Sequence, residues 1–303
     1  MLSGLFPRLH SATPAAFSVP TRSRDASFGL LLIAAIALFA GAAPAADERP
    51  AATQPAGLVG GELLHARDAQ SPRPFDPTDA YEAKTIEGWA ARINKRLIAE
   101  PELTDQSIEL LTFQLYQITR VVPAPALAQI RTVPIWLERE DPLVPCMCYH
   151  PNHDWLVSHG LNPDKTRCVE IGNARRFLDW EKGQPWMVLH ELAHAYHDQF
   201  LPDGFDNAEV RAAFESAKEQ KLYDHVLRGN GHIERAYAMT NEMEYFAECS
   251  EAFFGTNDFY PFVRAEFQEH DPKGYELLSR AWGLGPQKQS PESRPSPGTK
   301  PGS

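Results

Sequence analysis

The sequence is poor in basic residues. Its 303 residues include 29 Lys and Arg against 40 Asp and Glu, which gives a formal net charge of −11 at pH 7. The lysines and arginines form no cluster along the chain. A protein that binds nucleic acid needs a basic face to contact phosphates, so this composition argues against nucleic acid as a partner.

Cysteine is also scarce. The chain has four, which are Cys146, Cys148, Cys168 and Cys249. This number suits an exported protein with one or two disulfide bonds, and the sequence leaves their connectivity open. Cys146 and Cys148 are too close in the chain to pair easily with each other. We therefore expect one of them to form a disulfide bond with Cys168.

The same region offers an alternative use for two of the cysteines. The stretch CMCYHPNH could form a second zinc site, with the ligands Cys146, Cys148, His150 and His153. Its C-x-C-x-H-x₂-H spacing differs from that of a standard zinc finger, so we prefer the disulfide interpretation.

Long hydrophobic runs are limited to one, which covers residues 28–43. Basic residues precede this run, and the small residues Ala43 and Ala45 end it before Asp47. This order is typical of a secretory signal, so we interpret residues 1–46 as a signal peptide and expect an exported protein, either secreted, periplasmic or on the cell surface. The alternative is an uncleaved anchor through residues 28–46, because the run is close to the lower length limit for spanning a membrane.

Composition divides the rest of the chain. Residues 47–79 are rich in Ala, Pro, Gly and Asp without a sustained period, which predicts a disordered linker. The tail, residues 285–303, is rich in Pro, Ser and Lys and is also expected to be disordered. Between them we expect an N-terminal helical segment at 80–125 and a main domain at 126–284.

Two helices are predicted in the N-terminal segment. Ile86, Trp89, Ile93 and Leu97 stand near helical spacing, and a second helix should run from a Thr104 cap to Pro123. Short β-like runs follow at 131–140 and 166–172. The remaining helices are predicted near residues 185–200, 206–227, 241–254 and 273–282.

The helix near 185–200 carries the most specific motif, HELAH. His190 and His194 are one turn apart, so both imidazoles can reach one metal ion. Glu191 stands beside the metal rather than on it, where the base for a water bound to that metal must stand. The alternative is an ordinary helix whose histidines are surface polar groups.

Two histidines are insufficient for a tight site, so a third ligand is needed. His197 lies two turns, about 10 Å, from His190 along a regular helix, and we interpret it as a supporting or surface residue. The helix near 241–254 places Glu244, Glu248 and Glu251 on a shared face. A dication facing its first turn would relieve their mutual repulsion, and the alternative is a solvated acidic face.

HELAH and the stretch YAMTNEMEYFAE (237–248) together resemble the zinc-proteinase domain of the anthrax lethal factor family, which are zincins of the gluzincin type. The resemblance is strong over residues 185–255, extends weakly to 130–283 and does not reach the N-terminal helices. The fold it implies is α+β and zincin-like: predominantly helical, with a small mixed sheet whose edge strand lines a cleft. RCVEIG (167–172) is the candidate for one strand of that sheet.

The resemblance also implies roles for individual residues. It makes His190, His194 and Glu244 the ligands of one Zn²⁺ ion and Glu191 the general base. Glu248 would orient a ligand imidazole. Tyr237 would donate a hydrogen bond to the oxyanion of the tetrahedral intermediate, and its alternative role is simple packing where the chain enters the helix.

The function that follows is an exported zinc-dependent endopeptidase that acts on peptide or protein substrates. The chain is too short to contain the other domains of the toxin after which this family is named. We therefore do not expect it to act on that toxin's substrates. The alternatives are a zinc hydrolase of a non-protein bond, such as a cell-wall amide, and an inactive zincin scaffold used for binding. The sequence predicts no oligomeric state.

Overall fold

The computed structural model describes residues 75–285. The predicted signal peptide or anchor, nearly all of the predicted linker and the tail beyond residue 285 lie outside the described residues. Within residues 75–285, no helix combines the length and the apolar character needed to cross a membrane.

Helices dominate the described part of the chain. They are α1 (Lys95–Ile98), α2 (Pro101–Val121), α3 (Ala124–Ile130), α4 (His153–Ser158), α5 (Ala174–Trp180), α6 (Met187–Phe200), α7 (Ala208–Glu219), α8 (Glu242–Phe254), α9 (Arg264–His270) and α10 (Pro272–Ala281). The strands are β1 (Tyr81–Ile86), β2 (Trp89–Asn94), β3 (Ile135–Leu137), β4 (Met147–Tyr149), β5 (Val169–Ile171), β6 (Val226–Leu227) and β7 (Ile233–Glu234).

Five of the strands form one mixed sheet in the order β1-β2-β3-β5-β4. The three central strands are parallel to one another, and the two edge strands, β1 and β4, are antiparallel to their neighbours. The small mixed sheet among many helices gives a mixed α/β structure, which is compatible with the expected α+β class. Because β2 pairs with β3, the sheet continues across the expected boundary at residues 125 and 126.

The prediction of a helix beginning near residue 80 is wrong. This stretch is a β-hairpin, in which Ile86 pairs with Trp89 across a two-residue turn at Glu87 and Gly88. Both turn residues have positive φ, 49° and 93°, which is the conformation that a tight two-residue hairpin turn requires. Of the residues with apparent helical spacing, Trp89 and Ile93 lie on one strand, four positions apart, and therefore both face the core.

The other predicted elements are largely confirmed, with shifted ends. The second helix starts at Pro101, three residues before Thr104, because proline suits the first turn of a helix. Strands form inside both predicted β-like runs, at β3 and β5. The helix predicted near 206–227 ends at Glu219, and a short hairpin, β6–β7, follows it. β4, α3, α4, α5 and α9 were not predicted.

The sheet has two different buried faces. Met147, Tyr149 and Ile171 belong to the main core together with α6. The neighbouring residues on the same strands, Cys148 and Glu170, face the opposite side, which polar groups cover. Since α6 packs against β4, β5, α2, α3 and α8, it stands at the centre of the part of the chain that the structure describes.

Candidate metal centre

The site is built where α6 meets α8. The Asn241 side chain caps α8 by accepting hydrogen bonds from the backbone N–H groups of Met243 and Glu244, which fixes where the first turn begins. At the other end of α8, Gly255 permits a close approach, because a Cβ there would lie 2.0 Å from the Trp186 ring. The two helices can therefore pack along their whole length.

The predicted ligand residues come together between these helices. Nε2 of His190 lies 3.0 Å from Oε2 of Glu244, and Nε2 of His194 lies 3.3 Å from the same oxygen. One ligand atom from each of the three residues falls within a 4.8 Å group, and all three side chains are buried. Two imidazoles and a carboxylate that converge in this way can bind a metal ion.

The hydrogen bonding of His194 supports the fit of a metal. Its Nδ1 has no hydrogen-bond partner among the described residues, and its Nε2 approaches Glu244 without the alignment of a hydrogen bond. A buried polar side chain left in this state costs free energy, so it calls for an explanation. A bound cation facing Nε2 would provide one.

The electrostatics of the site also support the fit of a metal. Burial opposes the charged form of His190, but hydrogen bonds with Glu244 and Glu251 outweigh it and raise the pKa of His190 well above its ordinary value. Burial likewise opposes the charged form of Glu244, and the attraction of His194 and His190 lowers its pKa to about 2. Without a metal, protonated imidazole therefore supplies the positive charge that Glu244 requires.

Glu191 is held by the sheet. Its Oε2 accepts a hydrogen bond of 2.8 Å from the backbone N–H of Tyr149, which lies on the edge strand β4. The side chain is 7% exposed, and burial raises the pKa of its carboxyl. A carboxylate with a raised pKa beside two histidines is suited to accept and return a proton.

Tyr237 lies on the short 3-10 helix that precedes α8. Its hydroxyl donates a hydrogen bond of 3.2 Å to Oε1 of Glu244, and its ring centroid is 6.5 Å from that of His190. Tyr237 is thus part of the site, and its hydroxyl contacts a carboxylate ligand candidate.

Glu248 is not in the predicted relation to the histidines. Its nearest oxygen is 3.9 Å from Nδ1 of His190, which is too long for a hydrogen bond. Glu251 lies 2.7 Å from the same nitrogen. How α8 crosses α6 determines which of the two glutamates reaches His190. The helical spacing of the glutamates in the sequence does not contain this information.

His197 was expected to be a supporting or a surface residue, and the structure excludes the surface position. It is fully buried, and its ring packs against Phe205 and Phe246 at centroid distances of 5.1 and 5.0 Å. Burial, reinforced by the charge of His194, lowers the pKa of His197 to about 3, so the ring is neutral. It does not belong to the convergent group of possible ligands.

We use the name histidine cluster for the buried polar groups around this site. Its members are His190, Glu191, His194, Glu244, Glu248, Glu251 and Asp258. Sequence reasoning missed Asp258, which follows α8 and forms an ion pair with Arg228 at 3.1 Å. An acidic residue in a loop carries no signal of such a position.

A second buried group, the lysine cluster, lies on the opposite face of the sheet. Its members are Glu138, Cys148, His150, Lys165 and Glu170. Lys165 donates hydrogen bonds to Glu138 at 2.7 Å and to Glu170 at 2.5 Å. Lys165, Glu138 and Glu170 gave no sequence signal, because cross-strand register and a long loop bring them together.

The second zinc site proposed for CMCYHPNH is formed only in part. Cys148, His150 and Glu170 could hold a metal, whereas Cys146 lies in the main core and His153 is exposed. Cys148 and Glu170 both approach Nε2 of His150, at 3.4 and 2.6 Å. Burial raises the pKa of the Cys148 thiol well above its ordinary value, which disfavours both a thiolate ligand and a nucleophile.

The predicted disulfide bond is absent. All four cysteines of the chain are buried and unpaired. The Sγ atom of Cys148 faces His150, and that of Cys168 lies near the carbonyl oxygens of Asp164 and Thr166. The export prediction therefore rests on the sequence before residue 47 alone.

Comparison of the chain with protein-family models, with curated proteins and with solved structures finds no match. The function must then be argued from the geometry of the site.

Proposed function

We propose that the protein is an exported, zinc-dependent endopeptidase. One observation carries the proposal: His190, His194 and Glu244 converge in a buried group, and Glu191 stands beside them on the same helix as both histidines. This set matches zinc in donor type, since Zn²⁺ prefers imidazole nitrogen with carboxylate oxygen in sites that keep a position open for water.

When bound, zinc supplies Lewis acidity, which makes a water molecule acidic near neutral pH and polarises a carbonyl. The residues of the chain do the rest. His190, His194 and Glu244 would hold the ion. Glu191, kept in place by the Tyr149 N–H, takes a proton from the attacking water and returns it to the leaving amine.

Tyr237 is suited to a supporting role at the substrate carbonyl. In the structure its hydroxyl donates to Glu244. Burial, with the charges of Glu244 and Glu191, raises the pKa of Tyr237, so it remains a protonated donor. If the Tyr237 hydroxyl donated its hydrogen bond to a developing oxyanion instead of to Glu244, it would stabilise the negative charge there.

A metal-holding scaffold without turnover is a second candidate. The burial of Glu191 favours it, because a substrate carbonyl has to approach that carboxylate. The endopeptidase is preferred because a purely structural site has no need of a carboxylate base beside its ligands.

The test is cleavage of an unbiased peptide library by the zinc-loaded protein and by its Glu191→Gln variant. We expect cuts from the wild-type protein and a loss of roughly 1000-fold in kcat/KM in the variant, with zinc still bound. Equal activity of the two proteins would refute the assigned base. Zinc-loaded wild-type protein that cuts no peptide would favour the scaffold, and turnover of a cell-wall amide would indicate the non-protein substrate.

A further inference from the structure

We propose that Glu251 is the positioning residue for His190: it accepts the Nδ1 hydrogen and so directs the Nε2 lone pair towards the metal position beside Glu244. Glu248, which the sequence pattern favours, does not have this role. The inference rests on the proposed metal centre and adds the residue that orients one of its ligands.

The geometry around the imidazole carries the first step. His190 lies between two carboxylates of α8, with Glu244 3.0 Å from Nε2 and Glu251 2.7 Å from Nδ1. The nitrogen that faces Glu244 also faces His194 across the convergent group. If Nε2 binds a metal, Nδ1 must carry the hydrogen, and Glu251 is the acceptor within reach.

A second donor fixes the position of Glu251. Gln184, which lies just before α6, donates a hydrogen bond of 3.2 Å from Nε2 to the same Oε1 of Glu251. The other oxygen, Oε2, is buried and has no hydrogen-bond partner among the described residues. A buried oxygen without a partner costs free energy, and the two hydrogen bonds that Oε1 accepts must offset that cost. Both of these bonds come from the α6 side of the site.

The comparison with Glu248 is well matched within the same helix. Both residues are at most 1% exposed, and in both the Oε2 atom has no hydrogen-bond partner among the described residues. They differ in distance from Nδ1 of His190, which is 3.9 Å for Glu248 and 2.7 Å for Glu251. Only the shorter distance permits a hydrogen bond.

The two histidines then differ in how they are held. His190 has a carboxylate acceptor at Nδ1, whereas Nδ1 of His194 has no partner among the described residues. A carboxylate that accepts from a ligand imidazole fixes its tautomer and its ring orientation and raises its basicity. Loss of such a partner typically weakens metal affinity by about 10- to 100-fold.

The test compares Glu251→Leu with Glu248→Leu in the full chain, and zinc is the probe. Zinc affinity is measured by competition with a chelator. The protonation of His190 is read by ¹⁵N NMR of the zinc-loaded protein, in which a hydrogen-bonded Nδ1–H gives a distinct signal. We expect Glu251→Leu to lose roughly 10- to 100-fold in affinity and to shift the His190 Nδ1–H signal away from its hydrogen-bonded position, and Glu248→Leu to change neither.

A Glu251→Gln variant covers the case in which Glu251→Leu fails to fold. The amide keeps a neutral acceptor oxygen, so we expect a smaller loss of affinity and a shifted His190 signal. A purely structural role for Glu251 would lower thermal stability but leave that signal unchanged.

Three results would overturn the proposal. Glu251 variants with wild-type affinity and an unchanged signal would remove Glu251 from the role. Loss of affinity in Glu248→Leu alone would transfer the role to Glu248. Wild-type protein that binds no zinc would overturn the proposed function as well, so the two failures are distinguishable.

Discussion

The two buried polar clusters lie on opposite faces of one sheet, and they balance charge in opposite ways. In the lysine cluster, each of the two carboxylates, Glu138 and Glu170, receives a hydrogen bond from Lys165. In the histidine cluster, five carboxylates share two imidazoles and the guanidinium of Arg228. The first cluster contains its own cation, whereas the second is short of positive charge.

The protonation of the carboxylates follows this difference. Burial opposes ionisation of Glu170, but Lys165 and His150 outweigh it and lower its pKa. In the histidine cluster, burial and the neighbouring Asp258 and Glu251 raise the pKa of Glu248 well above its ordinary value. Burial and the charge of Glu251 raise the pKa of Asp258 to about 6.

This comparison favours the histidine cluster over the lysine cluster as the proposed metal site. Both contain a group of possible ligands, so donor type alone does not separate them. A dication would offset the excess negative charge of the histidine cluster, but it would compete with Lys165 in the lysine cluster. We therefore expect one zinc ion per chain, bound by the histidine cluster.

The largest expected effect is the loss of a ligand. Glu244→Ala should weaken zinc binding by roughly 1000-fold, or about 4 kcal/mol, since three ligands share a binding free energy of around 12 kcal/mol. Chelator competition measures the change. The matched control is Glu170→Ala, which removes a carboxylate from the lysine cluster and should leave zinc affinity unchanged. Equal losses in both variants would contradict the division between the clusters.

In the lysine cluster, the change expected to do most damage is the loss of the cation, and it should lower stability rather than zinc affinity. Lys165→Met keeps the length of the side chain but leaves Glu138 and Glu170 without their cation. The free energy of unfolding should fall by about 3 kcal/mol or more, measured by urea denaturation. Zinc affinity of the folded variant should stay within a factor of about three. A stable variant would mean that the lysine cluster is not held by its charges.

Glu244 and Glu170 both have a lowered pKa, so both clusters should lose stability at low pH, but only the histidine cluster should also lose it as the pH rises from 7 to 9. The raised pKa of His190 in the metal-free protein stabilises the fold below its ordinary value of 6.5, and this contribution is lost as the pH rises through the raised pKa. The lowered pKa of Glu170 stabilises the fold above its ordinary value of 4.5, and this contribution is lost as the pH falls.

Zinc should remove the alkaline loss only, because its ligand His190 is already deprotonated in the loaded protein. Urea unfolding of the metal-free and zinc-loaded proteins from pH 3 to pH 9 tests this. Metal-free protein whose stability stays level or rises above pH 7 would contradict the assigned role of His190.

The smallest effect is expected from Cys148→Ser. The thiol lies beside His150 but bears no charge that the lysine cluster requires, so the free energy of unfolding should change by about 1 kcal/mol. Elemental analysis should still find one zinc per chain. A fall in zinc content would show that the lysine cluster also binds the ion.

The sequence predicted the parts of the site that depend on local geometry. The spacing of His190 and His194 and the helix near residues 241–254 are local properties of the sequence, and both are present in the structure. The choice between Glu248 and Glu251 depends on how two helices cross, so it could not be read from either helix. The turn at Glu87 and Gly88 was missed because the apolar spacing around it also fits a helix.

The lysine cluster lay beyond sequence reasoning for a different reason. Glu170 and Cys148 meet through strand register, and Lys165 reaches Glu170 from a short 3-10 helix, Pro163–Lys165, between those strands. Cys148 belongs to the CMCYHPNH stretch, but Glu170 and Lys165 have no periodic or motif signal that would connect them with it. The fold class was accessible because β3, β5 and the long helices carry strong local patterns.

The hydrogen bond between Glu191 and the Tyr149 N–H joins residues 42 positions apart, and those of His190 with Glu244 and Glu251 span 54 and 61 positions. Contacts of such separation form late, after most of the chain entropy has been lost. The centre therefore does not exist in a nascent or unfolded chain, and no short fragment would reproduce it. If the centre binds zinc as proposed, the rate of zinc uptake during refolding would report the last step of assembly, and an exported chain would acquire the ion only after it had crossed the membrane.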